Sequence, residues 1–390
     1  AEWRSVPSER MRRFRGICRW SMLKCFSVRN FKNFKEKISF DLSKPYNYEF
    51  NKEVISNGCV AKSIIYGINS SGKSNMGLAL FDLVCHLTDK ERLTRSYEYY
   101  LNMDEDNDIA EFEYVFQFEG KELKYQYGKT SLDTLVYEAL EISGEKVLEY
   151  NYQSNDGFVR LEGAETLNNT MKNDSPISRV KYVSSNAILV DNAINKVFQN
   201  FMSYVNRMLL FYSLDQRGYQ GFSIGAESVA QGIIDSGCLG DFERFLAENN
   251  IFYHLQEAEV DGRKAIYCKF KNRSADFFRI ASTGTRSLAL FYYWYVKMKS
   301  TSLVYIDEFD AFYHYDLSRS IVKRIAKLEG VQVILTTHNL NLMSNDLLRP
   351  DCYFVLKNNS IRALPELTEK EIRKAHNLQK MYKAGTFDGE

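Results

Sequence analysis

Gly67-Ile-Asn-Ser-Ser-Gly72-Lys73-Ser74 follows the apolar run Val60-Ala-Lys-Ser-Ile-Ile-Tyr66 and precedes Met76, Leu80, Leu83, Val84 and Leu87, which recur at helical spacing. The local order is strand, glycine loop, helix, and the loop fits G-x-x-x-x-G-K-[ST]. Its glycines allow backbone N–H groups to turn inward around phosphate oxygens, and the helix start adds the positive end of its dipole. Lys73 is expected to neutralise the outer phosphates and Ser74 to offer Mg²⁺ a hydroxyl. The bland alternative is a Gly/Ser-rich turn that binds nothing.

Two further strands end in polar groups. Leu303-Val-Tyr-Ile-Asp307-Glu308 is an apolar run closed by two acids, of which the first can hold Mg²⁺ or its water and the second can deprotonate an attacking water. Taken alone, Asp-Glu at a strand end is as well explained by turn formation and solvation; downstream of a phosphate loop it gains meaning. Val333-Ile-Leu-Thr-Thr-His338-Asn339 repeats the pattern with an imidazole that can reach a terminal phosphate, although a lone strand-end histidine is more often structural.

Around these elements the chain reads as α/β. Residues 23–42 read as two short strands, 111–127 as a hairpin with Phe112, Tyr114, Phe116 and Phe118 on one face, and Ser143-Gly144 as a second turn. Residues 160–185 are polar and loop-like, and 191–210 place Ile194, Val197, Phe198, Phe201, Val205 and Met208 at helical spacing behind Asp191 as N-cap. Asp261-Gly262 marks a two-residue hairpin. From 301 to 357 strand and helix alternate, as a parallel sheet requires, and 369–382 reads as a charged helix.

Composition excludes more than it assigns. The 390 residues carry 51 Lys+Arg against 50 Asp+Glu, so bulk charge names no polyanionic partner. A 14% aromatic fraction beside only 5 Pro argues against disorder. The 7 cysteines never form C-x-x-C, so neither a disulfide framework nor a zinc site is expected, and a cytoplasmic setting fits. No run is long and apolar enough to span a bilayer, so no membrane partner is expected. Residues 1–21 hold six Arg against two Glu and read as a basic N-terminal extension, or as a nucleic-acid-binding arm. Asp104-Glu-Asp-Asn-Asp108 reads as a solvated loop, and His86, His254 and His314 lack metal-ligand spacing.

The succession Gly67–Ser74, Ile280-Ala-Ser282-Thr-Gly284-Thr285-Arg286, Leu303–Glu308 and Thr336-Thr-His338 resembles the ABC-type ATPase head of SMC/RecF-like and OLD-like proteins. It is most similar to the stand-alone AAA family ATP-binding proteins of that clade, many of them encoded in prokaryotic anti-phage defence and abortive-infection loci. Phe26-Ser-Val-Arg-Asn-Phe31-Lys-Asn-Phe34 resembles their opening strand and turn, Ile306–His314 their extended acidic segment, and His376–Phe387 their C-terminal helix. The resemblance spans about 23–100 and 275–390. It implies a P-loop NTPase of ABC-head type, a mixed β-sheet with flanking helices plus a mainly helical inserted lobe. The chain then divides into the extension 1–21, the N-terminal part of the head (22–160), the lobe (161–250) and the C-terminal part of the head (251–390).

Carried over residue by residue, the resemblance assigns ATP contacts to Gly67, Asn69, Ser70, Ser71, Gly72, Lys73, Ser74 and Asn75. Ser282 and Gly284 fall in the signature loop, which in the family reaches the ATP of the opposite subunit in a head-to-tail dimer; by its own sequence this loop reads first as a helix cap, and the neighbouring motifs reverse that preference. Asp307 joins Ser74 as a Mg²⁺ ligand, Glu308 becomes the general base and His338 the γ-phosphate sensor, with Lys73 assisting catalysis. The signature loop reads Ser-Thr-Gly-Thr-Arg where transporter-type heads have Ser-Gly-Gly-Gln, and the Q-loop glutamine has no clear counterpart, Gln117 being the candidate. OLD-like proteins continue into a Toprim nuclease; no such acid cluster is present. The implied activity is ATP hydrolysis coupled to an effector encoded nearby, a nuclease or toxin. The alternatives are a hydrolysis-poor, nucleotide-gated scaffold that restrains the effector, and a DNA-repair ATPase of RecF/SMC type with nucleic acid as partner.

Overall fold

A computed structural model describes residues 21–90, 94–212, 219–221, 228–311 and 313–388. The basic extension read over 1–21 lies outside them, except that Ser21 opens strand β1 (Ser21–Arg29). The chain turns into β2 (Ile38–Asp41), forms a small hairpin of β3 (Ile55–Ser56) and β4 (Cys59–Val60), and enters β5 (Lys62–Tyr66) and helix α1 (Lys73–Leu87). A meander follows through β6 (Ala110–Phe118), β7 (Lys121–Ser131), β8 (Thr134–Ile142), β9 (Glu145–Asn151) and β10 (Asp156–Val159). Helices α2 (Leu167–Thr170), α3 (Arg179–Asn186) and α4 (Ala193–Val205) lead to β11 (Leu209–Tyr212) and β12 (Tyr219–Gly221). After α5 (Val229–Asp235) and α6 (Leu239–Glu248) come β13 (Leu255–Val260), β14 (Arg263–Lys269) and β15 (Ser274–Asp276). Then follow α7 (Phe277–Ile280), α8 (Thr283–Met298), β16 (Leu303–Asp307), α9 (Tyr315–Ala326), β17 (Gln332–Thr337), β18 (Tyr353–Lys357), β19 (Ser360–Ala363) and α10 (Leu378–Lys383). Among the described residues no helix is long and apolar enough to cross a membrane.

The strands form two large sheets. One, ordered β10-β9-β8-β7-β6-β1-β2, is antiparallel throughout. The other is ordered β12-β11-β16-β17-β5-β18-β19; its inner strands run parallel and its two edges are antiparallel. In the second sheet β17 lies between β5 and β16, with Leu335 opposite Ile306 and Thr337 opposite Tyr66. All three strands therefore end at one level, the edge where ligands settle on parallel sheets.

Helix α1 lies between the sheets and is buried on nearly every face. Towards the parallel sheet Gly77 admits Tyr305, whose ring carbon would sit 2.7 Å from any Cβ there. Towards the antiparallel sheet Tyr114 OH donates to Ala79 O (2.9 Å), and fully buried Asp82 accepts from Lys129 Nζ (2.7 Å), Tyr127 OH (2.9 Å) and Tyr100 OH (2.9 Å). The aromatic face of β6 meets Phe201 and Tyr204 of α4. The aromatic excess is thus spent largely on packing.

Local details depart from the sequence reading in three places. Asn192, not Asp191, caps α4, accepting from the amides of Ile194 and Asn195, and the helix stops at Val205, because Leu209–Tyr212 is drawn into the parallel sheet beside β16. The polar stretch 160–185 contains α2 and α3; Arg179 is buried, stacks 4.3 Å from the Tyr150 ring and donates to the carbonyls of Asn173, Ser175 and Ile177. The tail is helical only over α10, since the Asn345 amide holds the carbonyls of Arg373, Lys374 and His376 in a non-helical turn (each 3.1 Å). Residues 161–250 hold α2 to α6 and also contribute β11 to the parallel sheet.

Gln332 joins the two sheets. Its Oε1 accepts from Leu23 N (3.0 Å) and Tyr204 OH (3.2 Å), and its Nε2 donates to Leu23 O (3.0 Å) and Val60 O (3.0 Å), which uses every hydrogen-bonding site of the amide. Gln332→Leu strands these buried partners and should cost about 3 kcal/mol or more by chemical denaturation. Lys62 on β5 is also buried, with its ammonium on Val331 O, and burial pushes its pKa from 10.5 down to about 8. Between these values the unfolded chain still holds the proton that the folded chain has released, so stability rises with pH across that window. Unfolding curves of wild type and Lys62→Met should converge or cross in the wild type's favour by up to about 3 kcal/mol from pH 7 to pH 10; parallel curves would refute the role of Lys62.

Candidate functional site

The site forms where β5, β16 and β17 end. Gly67 leaves β5 so tightly that a Cβ there would meet Ser71 Oγ at 2.3 Å and Leu356 O at 3.0 Å. Ser70 adopts φ 64 and Gly72 φ 100, so the loop wraps inward before α1 begins. No side chain caps α1 at Gly72 and its first turn holds no acid, which leaves its first amides and positive dipole end available. Asn69 and Ser70 are exposed on the lip, beside Ile68, whose surface is 79% accessible.

Lys73 closes the floor of the loop. It is 5% exposed, and its Nζ lies 2.9 Å from Gly67 O, 3.2 Å from Ile68 O and 3.1 Å from Glu308 Oε1. Ser74 Oγ donates to Asp307 Oδ2 (2.6 Å), and His338 Nδ1 lies 3.1 Å from Glu308 Oε2. Lys73, Ser74, Asp307, Glu308 and His338 are therefore brought into one cluster. Burial pushes the Asp307 carboxyl above the usual range; the hydroxyls of Ser74 and Thr336 oppose this, the charge of Glu308 adds to it and that of Lys73 opposes it.

Thr336, Tyr305 and Asn33 complete the cluster and were not singled out from sequence. The fully buried Thr336 hydroxyl donates to Asp307 Oδ1 (2.7 Å) and accepts from Glu308 N (2.8 Å), so one side chain sets both acids. It pins Glu308 at φ 46, a left-handed conformation unusual for a residue with a Cβ. Tyr305 OH donates to Lys73 O (2.5 Å), fixing the first turn of α1 to β16. Asn33 in the β1–β2 turn accepts from Asn75 Nδ2 (2.7 Å) and packs where a Gly72 side chain would point. The sequence places Thr336 only within the Thr336-Thr-His338 strand end and gives no sign of its hydrogen bonds to the two acids.

Ser282 and Gly284 lie on a different element. Ser282 caps α8: its Oγ accepts from Thr285 N (3.1 Å) and lies 2.9 Å from Thr285 Oγ1. Ser282 and Thr283 are exposed and Gly284 is half-buried within the first turn. Tyr313 OH donates to Ser287 O (3.1 Å), linking α8 to the segment beyond Glu308. Gln117 sits on β6 of the antiparallel sheet.

These residues fit a nucleoside triphosphate with a hard cation. Glycine stands where a side chain would block the loop, the helix start is uncapped, and the buried Ser71 hydroxyl has no hydrogen-bond partner. Ser74 and Asp307 could offer Mg²⁺ the kind of oxygen ligands it takes. No group of three or more His, Cys, Asp or Glu with metal-site geometry occurs among the described residues.

Residues 175–344 match the family described as "AAA domain, putative AbiEii toxin, Type IV TA system". The match holds Ser282, Asp307, Glu308 and His338 and begins beyond the phosphate loop, so the loop is assigned by its own geometry. No curated protein matches the chain. Among solved structures, the SMC head domain from Thermotoga maritima aligns at 15% identity, covering 90% of this chain and 99% of that one, with a TM-score of 0.44. An Smc head bound to the C-winged helix domain of ScpA aligns at 13% identity over 87% and 97%, with a TM-score of 0.44. An Smc head with an extended coiled coil, bound to the C-terminal domain of ScpA from Pyrococcus furiosus, aligns at 12% identity over 88% and 95%, with a TM-score of 0.43. The α/β P-loop fold follows from the strand order and the loop itself.

Because Thr336 serves both acids, Thr336→Val should lower ATP turnover about 10- to 100-fold with little change in KM, the equivalent of losing one hydrogen bond to a charged group. Thr336→Ser should restore it. Equal losses in both variants would show that the methyl group matters, not the hydroxyl.

Proposed function

We propose that this chain binds ATP with Mg²⁺ and hydrolyses it, that two copies associate head to tail around the nucleotide, and that the cycle governs a partner effector. The observation that carries the reading is the convergence of Lys73, Ser74, Asp307, Glu308 and His338 at the level ends of β5, β16 and β17. Gly67, Asn69, Ser70, Ser71, Gly72 and Asn75 would wrap the phosphates. Lys73 shares its charge among two carbonyls and Glu308; phosphate oxygens offer that ammonium a more highly charged partner, which releases Glu308. The released carboxylate, steadied by Thr336 at its backbone and by His338 at its tip, then takes a proton from water. Bound Mg²⁺ on Ser74 and Asp307 would supply charge neutralisation at the phosphates.

Exposed Ser282 and half-buried Gly284, at the start of α8, are the residues we assign to the nucleotide held by the opposite copy. Residues 22–160 and 251–390 form the head in this reading, with 161–250 as a mainly helical lobe. The setting we favour is cytoplasmic phage defence, with a nuclease or toxin as effector. The Lys73–Glu308 pair also favours a second reading, a nucleotide-gated scaffold that hydrolyses poorly because its base is engaged; turnover measured with and without the neighbouring gene product separates the two.

Glu308→Gln retains the loop and removes the base. Light scattering with ATP should show stable association of this variant and weaker or transient association of wild type. No association of Glu308→Gln with ATP bound would exclude the head-to-tail arrangement.

A further inference from the structure

A cleft of about 550 Å³ opens along α9, with Tyr295 of α8 and the end of α6 completing its walls. Arg319, Lys323 and Lys327 form one row at i, i+4 and i+8, each step advancing about 6 Å along the helix. Beside them Arg324 is held in place: it lies 3.5 Å from Glu248 and 3.9 Å from Asp241, and stacks over Phe245 (4.7 Å) and Tyr295 (5.3 Å). Glu248 therefore answers Arg324 and not the row. Arg319 donates to Tyr315 OH (3.0 Å) and lies over that ring (5.5 Å), and its one ion pair is a 3.8 Å contact with Asp346, whose side chain is 76% exposed. Lys323 and Lys327 are exposed and make no ion pair among the described residues, and the remaining acid of the cleft, Asp316, lies one turn before Arg319 at the N-terminal end of α9, away from the two lysines.

The negative end of the α9 dipole accounts for cations in its last turn. It accounts neither for Arg319 two turns earlier nor for a concave wall that aligns all three. A row of positive charges at regular steps inside a cleft suits a linear chain of phosphates better than a compact anion, which would engage one or two of them. We propose that this cleft binds the phosphodiester backbone of a nucleic-acid strand. The cleft lies outside the nucleotide site, and the inference goes beyond the ATPase reading without depending on it.

Fluorescence anisotropy with labelled oligothymidylate and oligouridylate tests this on the full chain without nucleotide. Wild type should bind, and Lys323→Gln/Lys327→Gln should bind about tenfold or more weakly, with the slope of log K against log salt reduced by about 1.4 for two lost single-strand phosphates. Lys323→Arg/Lys327→Arg should bind like wild type. Lys73→Ala should bind the strand unchanged; its loss in that variant would place the strand in the phosphate loop and overturn the proposal. Absence of binding, equal binding by the glutamine variant, or tighter binding of inositol hexakisphosphate than of either strand would also overturn it. The thymidylate and uridylate arms distinguish DNA from RNA. Both lysines are exposed, so unchanged melting temperatures should accompany the expected losses.

Discussion

Three parallel strands that stop at the same level impose most of what the site can do. Because β17 lies between the strand that feeds the phosphate loop and the strand that carries the acids, its own last residues face both. Thr336 stands at that junction with a single hydroxyl, and hydrogen bonds in both directions convert strand register into the placement of Asp307 and Glu308. A one-residue slip of β17 would turn Thr336 to the opposite face and leave two acids and a strained backbone without support. Burial of Gln332 and Lys62 near the other end of the same strands is consistent with that demand, since polar groups tied to the neighbouring chain resist sliding more than apolar ones do.

Much of the site was legible because its chemistry is local. Gly67, Gly72, Lys73 and Ser74 need fixed spacing along one turn, and Asp307 and Glu308 need only the end of an apolar strand. The rest was illegible because the interactions join residues far apart in sequence. Nothing near Thr336 announces that it will meet Asp307, and nothing near Asn33 announces Gly72. The fold follows the same division: hairpins over 112–127 and around Gly144 follow from alternation and turn residues, whereas β11 is recruited by its pairing with β16. Arg179 shows the converse case. Its segment is polar by composition, yet its charge is buried against Tyr150 and backbone carbonyls, because polarity predicts solvent exposure only when no internal partner is available.

Helix α1 connects the phosphate loop to both sheets. At its first turn Tyr305 grips the Lys73 carbonyl, and further along Asp82 gathers Lys129, Tyr127 and Tyr100. A buried ion pair of this kind adds little net stability but is costly to break, so it specifies how the helix sits more than how firmly the chain folds. Any change in loop occupancy that tilts α1 must be accommodated by that polar cluster, which makes the antiparallel sheet mechanically answerable to the loop.

The backbone at Glu308 bears on how such a chain would change over generations. Left-handed φ costs a side-chain-bearing residue about 1–2 kcal/mol that glycine would not incur. While the carboxylate is needed, that cost persists; once it is not, drift toward glycine or asparagine at this one position would be favoured by stability alone. The residue found at 308 in descendants of this chain would therefore act as a fossil record of whether the chemistry was still in use.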